Sequence, residues 1–245
     1  MTPRIYVGHD VHALAPGADY ALPAAAAHHV AQVLRMRAGD ALTLFTGAGG
    51  EYSTTIARVE RRDVVLRVHR HDPIERESPL SVTLVQSLIA ADMMDWVVRK
   101  AVELGVAAIA PVQSARSQRV PADRAARRVE HWRQIAVAAC EQCGRNRIPE
   151  VLPLVAFDAW LEAHVGSLRV AILDAEAGRS LASLFAAEPP AAVAIGPEGG
   201  FTAEELRRAG ERGALPGHLG SRVLRAETAA VAALATASAI AGDAR

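Results

Sequence analysis

Two glycine-marked segments near the C-terminus contain the residues whose types and spacing could support chemistry. Residues 195–201 have the sequence IGPEGGF, and residues 219–228 have the sequence LGSRVLRAET. Each segment adjoins a short apolar run that predicts a buried strand, and each leads into a predicted helix. Glycine lets the backbone approach a ligand closely. The two turns are therefore expected to offer bare N–H and C=O groups to a small molecule at one edge of a sheet, where open α/β sheets bind ligands.

The first segment differs from the common phosphate-binding loops. The chain has neither a G-x-x-x-x-G-K-[ST] nor a G-x-G-x-x-G pattern, so a pyrophosphate site lacks its usual parts. Thr202, with Glu205 three residues later, predicts a capping box for the following helix. An ordinary strand-turn-helix joint would explain one or two of the glycines, but less naturally PEGG in a row. The pattern therefore favours a ligand site.

The elements that must position these segments follow an alternating α/β pattern. Apolar runs predict strands at residues 80–88, 106–112, 169–174, 191–195 and 218–224. Between them we predict a helix that Asp92 can cap and Gly105 can end, a long basic helix over 121–143, and a final helix of small residues over 227–241. Such alternation predicts a mainly parallel sheet with helices on both faces.

A charged, proline-bounded linker, residues 72–79, separates this region from a different N-terminal half. There, residues 40–45, 51–59 and 63–69 alternate as strands do, with a hairpin turn at 46–50. This half is expected to form a small β-barrel or sandwich. Residues 24–36 predict a short helix, and its end carries Arg35 and Arg37. These two cations could face phosphates, or could simply occupy a helix end where the dipole favours them.

Composition excludes several classes of protein. The 245 residues are 51% hydrophobic and have no net charge, so binding to nucleic acid would depend on local clusters. One cluster lies between Ser114 and Arg147, where eight arginines accompany three acidic residues, although a solvated helix face shows the same pattern. No apolar run is long enough to span a membrane, and no signal peptide is present, which predicts a cytosolic protein.

The chain shows no spacing typical of a metal site, and no metal is expected. Its two cysteines, Cys140 and Cys143, lack the two further ligands that a structural zinc ion would need. They are expected to be small residues on a helix, with a redox pair as the alternative.

Taken together, the two glycine segments resemble those of the knotted SPOUT class of RNA methyltransferases. More closely, the chain is similar to the bacterial 16S rRNA (uridine-N3) methyltransferase family, the small-subunit methyltransferase E group. Further matches are VLRMR at 33–37, KAVELGV at 100–106, SARS at 114–117, and parts of 141–150, so the resemblance covers essentially the whole chain. The family usually carries a lysine in the turn after the Gln86 strand. This chain has AAD at 90–92, so no contact from that lysine is carried over.

The resemblance implies a fold, a cofactor and a substrate. The implied fold is an α/β SPOUT domain with a deep C-terminal trefoil knot over residues 75–245, preceded by a PUA-like RNA-binding β-barrel over residues 1–74. It also implies S-adenosylmethionine (SAM) as the cofactor and a homodimer. The implied reaction is methylation of N3 of a specific uridine in the decoding region of 16S rRNA, on the small ribosomal subunit. The alternatives are a related SPOUT enzyme that acts on tRNA and a non-catalytic RNA-binding protein.

The same resemblance implies site residues. Arg225 is expected to steady the nucleobase and Glu227 to accept the N3 proton, with Thr228 beside them; Glu227 and Thr228 could instead only cap the final helix. The expected RNA contacts are Arg35, Arg37, Arg116 and Arg145. The expected SAM contacts are Leu173, Ile195, Gly196, Glu198, Gly199, Gly200, Leu219, Gly220, Val223 and Leu224.

Overall fold

The computed structural model describes residues 2–8, 14–60 and 63–243, which form two compact units. The first unit runs to Glu77 and also takes in Cys140–Ile148, and the second contains the rest. The predicted division at residues 74 and 75 had placed 140–148 in the second domain. Hydrogen bonds explain the difference, because the side-chain amide of Asn146 donates to the carbonyl of Ile74 at 2.7 Å, and the guanidinium of Arg145 pairs with Glu77.

The first unit is built on a five-stranded sheet. Its strands are β1 (Arg4–Tyr6), β2 (Asp19–Ala21), β3 (Ala41–Phe45), β4 (Glu51–Val59) and β5 (Val64–Asp72). They lie in the order β1-β3-β4-β5-β2, with β1 parallel to β3 and all other neighbours antiparallel. The predicted hairpin between β3 and β4 is confirmed. Because alternate residues of a strand point to the same face of the sheet, one buried core contains Leu42, Leu44, Ile56 and Leu66.

The helix predicted over 24–36 is shorter and changes type. Helix α1 (Ala24–His28) continues as a π-helical turn over His29–Val33. The backbone then reaches Arg35 with a φ of 55°, a left-handed conformation that cannot continue a right-handed helix. Arg35 and Arg37 therefore lie on exposed, non-helical backbone.

An ion cluster fixes the predicted linker to the first unit. The carboxylate of Glu51 accepts hydrogen bonds from Arg4 at 2.5 Å, from Arg76 at 2.9 Å and from Asn146 at 3.2 Å. Burial raises the pKa of the Glu51 carboxyl, but the hydrogen bonds from Arg76, Arg4 and Asn146 outweigh it and lower the pKa to about 2. The segment that contains Arg76 is thus held by charge-assisted bonds rather than left as a free connection.

The second unit is built on a parallel sheet. Its strands are β6 (Thr83–Ser87), β7 (Ala108–Gln113), β8 (Glu150–Val151), β9 (Val155–Ala156), β10 (Val170–Leu173), β11 (Ala192–Ile195) and β12 (Leu215–Gly217). The order is β12-β10-β11-β6-β7-β8, β9 also pairs with β7, and every one of these pairs is parallel. The helices are α2 (Ala91–Glu103), α3 (Ala122–Cys143), α4 (Phe157–His164), α5 (Leu181–Ala187), α6 (Ala203–Glu211) and α7 (Ala226–Ile240). The predicted α/β class and parallel sheet are confirmed.

The predicted last strand, residues 218–224, is wrong. The structure has β12 at Leu215–Gly217 and irregular backbone from His218 to Arg225. Strand β12 lies at the sheet edge and pairs with β10, whose last residue, Leu173, lies opposite Gly217. Among the described residues, the pairing continues beyond Gly217 only as an isolated bridge between His218 and Ser180, so the apolar run that follows has no ladder to join.

The predicted capping of α2 by Asp92 is also wrong. Ala90 occupies the N-cap position without a side-chain cap, and Asp92 lies in the first helical turn. The backbone N–H of Ala90 instead donates to Oε1 of Glu198 at 3.1 Å. A carboxylate from the first glycine segment therefore stands at the N-terminus of α2, where the helix dipole favours negative charge.

Helix α7 is apolar around most of its circumference. It packs against α2, α5 and the central strands β6 and β11, and it buries Ala230, Ala233 and Leu234 completely or nearly so. Its small side chains allow this close approach of backbones. Within residues 2–8, 14–60 and 63–243, no helix is both long and apolar enough to cross a membrane.

Candidate functional site

Both glycine segments line one pocket at the carboxyl ends of two adjacent parallel strands, β10 and β11. The pocket has a volume of about 140 Å³. Its lining residues are Leu173, Ala175, Ile195, Gly196, Pro197, Glu198, Gly200, Leu219, Gly220, Arg222, Val223, Leu224, Ala226 and Ala229. Nine of the ten residues expected to contact SAM are among them, and the exception is Gly199. The structure therefore brings the two segments together at the sheet edge where small ligands bind in open α/β folds.

The first wall of the pocket is a tight turn after β11. The N–H of Gly200 donates to the carbonyl of Pro197 at 2.8 Å, and Gly200 has a φ of 65°. At Gly196, a Cβ atom would lie 3.0 Å from the backbone nitrogen of Phe201. Gly200 is thus required by its backbone conformation, and Gly196 is required because a side chain would have no space.

Glu205 joins this wall to the segment that follows β7. Its buried carboxylate accepts from the N–H and the hydroxyl of Thr202 at 2.8 and 3.0 Å, which confirms the capping box, and from the N–H of Ala115 at 2.7 Å. The next residue, Arg116, donates from Nη1 to the carbonyl of Gly199 at 2.8 Å. Gly199 therefore faces Arg116, which explains its absence from the pocket lining.

Glu198 lies between the pocket and the N-terminus of α2. It lines the pocket, and its Oε1 accepts the N–H of Ala90. The hydrogen bond shows that Glu198 fixes the loop. Its contact with a ligand stays a prediction.

The second wall is the irregular backbone after β12. Gly220 has a φ of 103°, a conformation that favours glycine. Val223 is 88% exposed although it also lines the pocket, so this wall is open to solvent.

The three residues expected to act on the substrate lie beside the pocket without lining it. Arg225 is exposed at the N-cap position of α7 and makes no side-chain cap. Ala226 and Ala229, three positions apart on one helix face, line the pocket. Glu227 and Thr228 project roughly 100° and 200° further around the helix than Ala226. Among the described residues, the carboxylate of Glu227 makes no hydrogen bond or ion pair, so its choice between catalysis and capping stays open.

The four arginines expected to contact RNA occupy different environments. Arg35 and Arg37 are exposed in the first unit, and Arg116 is exposed beside Gly199 in the second. Arg145 is the least accessible of the four, because its side chain is only 6% exposed and both Nε and Nη2 donate to Oε2 of Glu77, the former at 3.1 Å. This buried pair gives Arg145 a structural role, and its contact with RNA stays a prediction.

The two cysteines are free thiols in the last turn of α3. Burial raises the pKa of the Cys140 thiol to about 12, and its Sγ donates to the carbonyl of Arg147 at 3.6 Å. Cys143 is half-buried. In the part of the chain that the structure describes, no group of three or more His, Cys, Asp or Glu residues could hold a metal ion.

Sequence reasoning missed a set of buried polar residues at the ends of β6 and β7. Gln86, Ser87 and Ser114 are at most 7% exposed, and Oε1 of Gln86 and both hydroxyl oxygens have no hydrogen-bond partner among the described residues. Gln86 lies opposite Ile195 in the parallel register. A polar residue that ends an apolar strand run was the available signal, because buried polar atoms normally find partners.

Comparison with known proteins supports the interpretation of this site. A family model described as an RNA methyltransferase domain matches residues 76–238, and one described as an RNA methyltransferase PUA domain matches residues 22–68. The Bacillus subtilis protein named ribosomal RNA small subunit methyltransferase E is 30% identical over 220 residues, which cover 86% of each chain. This chain belongs to the small-subunit methyltransferase E family of RNA methyltransferases.

Two solved structures extend the match over the whole chain. A Legionella pneumophila protein in complex with the bound cofactor SAM has a TM-score of 0.90 and 38% identity, with 98% of both chains covered. Ribosomal RNA small subunit methyltransferase E from Neisseria gonorrhoeae, bound to SAM, has a TM-score of 0.89 and 35% identity, again with 98% of both chains covered. The family resemblance, the enzyme class and the N-terminal PUA domain are thus confirmed.

Proposed function

We propose that this chain transfers the methyl group of SAM to N3 of a specific uridine in the decoding region of 16S rRNA, on the small ribosomal subunit in the cytoplasm. The pocket between the two glycine segments carries the proposal. Nine of the ten residues expected to contact SAM line it, and two relatives with 35% and 38% identity bind SAM.

The pocket suits the chemical parts of SAM. Leu173, Ile195 and Leu224 offer apolar surface for an adenine ring, and the backbone of Gly196 and Gly220 can approach the polar edges of a ligand. The carboxylate of Glu198 adds negative charge for a cationic ligand. When bound, SAM supplies an electrophilic methyl group on a sulfonium centre.

The chain's own residues hold the uridine and remove its N3 proton. Arg225, exposed at the start of α7, can hold a uracil oxygen on which negative charge develops. Glu227, in the first turn, can accept the N3 proton. The N-terminus of α7 also favours negative charge at this place.

A matched pair of variants separates catalysis by Glu227 from helix capping. Glu227→Gln is expected to lower kcat by about 100-fold or more, the usual contribution of a general base, while SAM affinity stays unchanged. The exposed Glu204→Gln in α6 serves as the control. Full kcat in Glu227→Gln would leave Glu227 with a structural role only.

Chain topology supports the proposed trefoil knot. Helix α7 follows the edge strand β12, yet it packs against the central strands β6 and β11 and against α2 and α5. The chain must therefore return from the edge to the middle of the sheet within residues 218–225. An experimental structure that traces residues 170–240 tests the threading, and an unthreaded path would reject it.

A second copy of the chain is proposed to pack on α7. Val231, Ala232 and Ala235 remain partly exposed, and Ile240 is 38% exposed. Sedimentation equilibrium is expected to show a dimer, and Val231→Arg should yield monomers because it places a charge in an apolar interface. A monomeric wild-type protein would contradict the dimer.

Substrate choice is tested with purified protein, labelled SAM, and either small ribosomal subunits or tRNA. Label in 3-methyluridine of 16S rRNA supports the proposal. Label in tRNA alone would support the tRNA alternative. Absence of SAM binding in calorimetry would support the non-catalytic alternative.

A further inference from the structure

The second wall of the pocket is held by very few hydrogen bonds. Five of the six residues from Leu219 to Leu224 line the pocket. Among the described residues, none of these six makes a backbone–backbone hydrogen bond. Within the described parts of the chain, the single hydrogen bond of this span runs from the N–H of Gly220 to Nδ1 of His218 at 3.0 Å.

His218 is itself a fixed point. Its N–H donates to the carbonyl of Arg179 at 2.9 Å, and its carbonyl accepts from the N–H of Leu181, the first residue of α5, at 2.8 Å. The imidazole therefore projects from backbone that is anchored on both sides. Gly220 has no such anchor and adopts a φ of 103°. The imidazole thus links the turn at Gly220, through a hydrogen bond, to backbone that is itself held by hydrogen bonds.

This hydrogen bond prescribes the protonation state of the ring. An N–H donor needs a lone pair on Nδ1, so the imidazole is neutral and carries its hydrogen on Nε2. A doubly protonated imidazole has no acceptor and would release Gly220. The charged residues on the segments that meet here are Asp174, Glu176 and Arg179 from the loop after β10, and Arg222 from the second wall.

We propose that His218 is a positioning residue of the cofactor pocket, which holds the turn at Gly220 through Nδ1 of its neutral imidazole. The proposal rests on the proposed function, because it takes the pocket as the SAM site. His218 touches neither the methyl group nor the uridine in this account. It sets the shape of the wall that the cofactor meets.

Two substitutions distinguish the hydrogen bond from mere bulk. In His218→Asn, the amide oxygen lies the same number of bonds from the backbone as Nδ1, so it can accept from the N–H of Gly220. In His218→Ala, the acceptor is lost while the anchoring backbone bonds can remain. The control is His131→Ala, which removes an exposed imidazole on α3 that pairs with Asp95.

The first measurement is SAM affinity by calorimetry at pH 8. We expect His218→Ala to bind about tenfold more weakly than wild type, the equivalent of one neutral hydrogen bond. His218→Asn should keep near wild-type affinity, and His131→Ala should match wild type.

The second measurement does not need the cofactor. Nitrogen NMR of the imidazoles is expected to show an unprotonated Nδ1 on His218, and exchange of the Gly220 amide should be slow in wild type and His218→Asn but fast in His218→Ala. Unchanged exchange in His218→Ala, or an Asn variant as weak as the Ala variant, would overturn the proposal. If wild type shows the expected exchange but binds no SAM, the positioning of the turn stands and the proposed function fails.

Discussion

Glu205 offers the sharpest test of how the first wall of the pocket is held. Its buried carboxylate is 3% exposed and accepts three hydrogen bonds, two from Thr202 and one from the N–H of Ala115. Glu205→Ala removes both acceptor oxygens and so all three hydrogen bonds at once. The change should loosen both the start of α6 and the segment after β7.

The free energy of unfolding lost in Glu205→Ala can be estimated from these hydrogen bonds. A hydrogen bond to a charged group contributes about 1.5–3 kcal/mol, which for three bonds sets an upper range near 5–9 kcal/mol. Ala115 is exposed and Thr202 is half-buried, so water can replace much of what their donors lose. We therefore expect Glu205→Ala to lower the free energy of unfolding by about 3 kcal/mol. Glu205→Gln retains one oxygen acceptor and should cost about half as much.

Urea unfolding followed by tryptophan fluorescence measures this cost, because all three tryptophans belong to the second unit. The matched control is Glu204→Ala. Glu204 is the exposed neighbour and pairs with Arg207 at the surface, where ion pairs contribute little, so stability should hardly change. A loss of less than about 1 kcal/mol in Glu205→Ala, or one no larger than in the control, would show that these bonds do not hold the wall.

Three further predictions follow from the same structure. Gly196→Ala should weaken SAM binding in calorimetry by tenfold or more, because its Cβ would lie 3.0 Å from backbone, whereas Gly210→Ala meets nothing within 4 Å and should bind normally. Equal affinities would contradict the close approach. Glu51 has a pKa lowered from 4.5 to about 2, so its stabilising effect is complete above pH 4.5 and is lost as the pH falls towards 2. The stability gap between wild type and Glu51→Gln, measured by urea unfolding with circular dichroism, should therefore shrink from pH 6 to pH 3; a constant gap would refute this. At pH 8 a thiol reagent should modify Cys143 in the folded protein but not Cys140, whose pKa is about 12; Cys140 should react only after unfolding. Rapid reaction of both thiols in the folded protein would count against the burial of Cys140.

Much of the second unit was predictable because buried parallel strands are continuous apolar runs. Strand β11, for example, is buried at all four positions from Ala192 to Ile195. Strand β12 escaped prediction because it has only three residues, one of them Pro216, and ends where its partner β10 ends. The apolar residues that follow it resemble a strand in sequence and line a pocket in the structure.

The pocket could be predicted from local glycine patterns, whereas its supports could not. Arg145 shows why, since a cluster of arginines in sequence gives no sign that Glu77, far away along the chain, buries this one. The bonds from Arg116 to Gly199 and from Ala115 to Glu205 join segments more than 80 residues apart. Such contacts depend on strand order, which the alternation of helices and strands does not specify.

The proposed methylation is tested most directly by nucleoside mass spectrometry of 16S rRNA from a strain that lacks this gene. We expect 3-methyluridine to disappear from 16S rRNA and to return when the wild-type chain is supplied. It should not return with Gly196→Ala where the SAM concentration lies below the raised dissociation constant of that variant. Retention of 3-methyluridine in the deletion strain would contradict the proposed function.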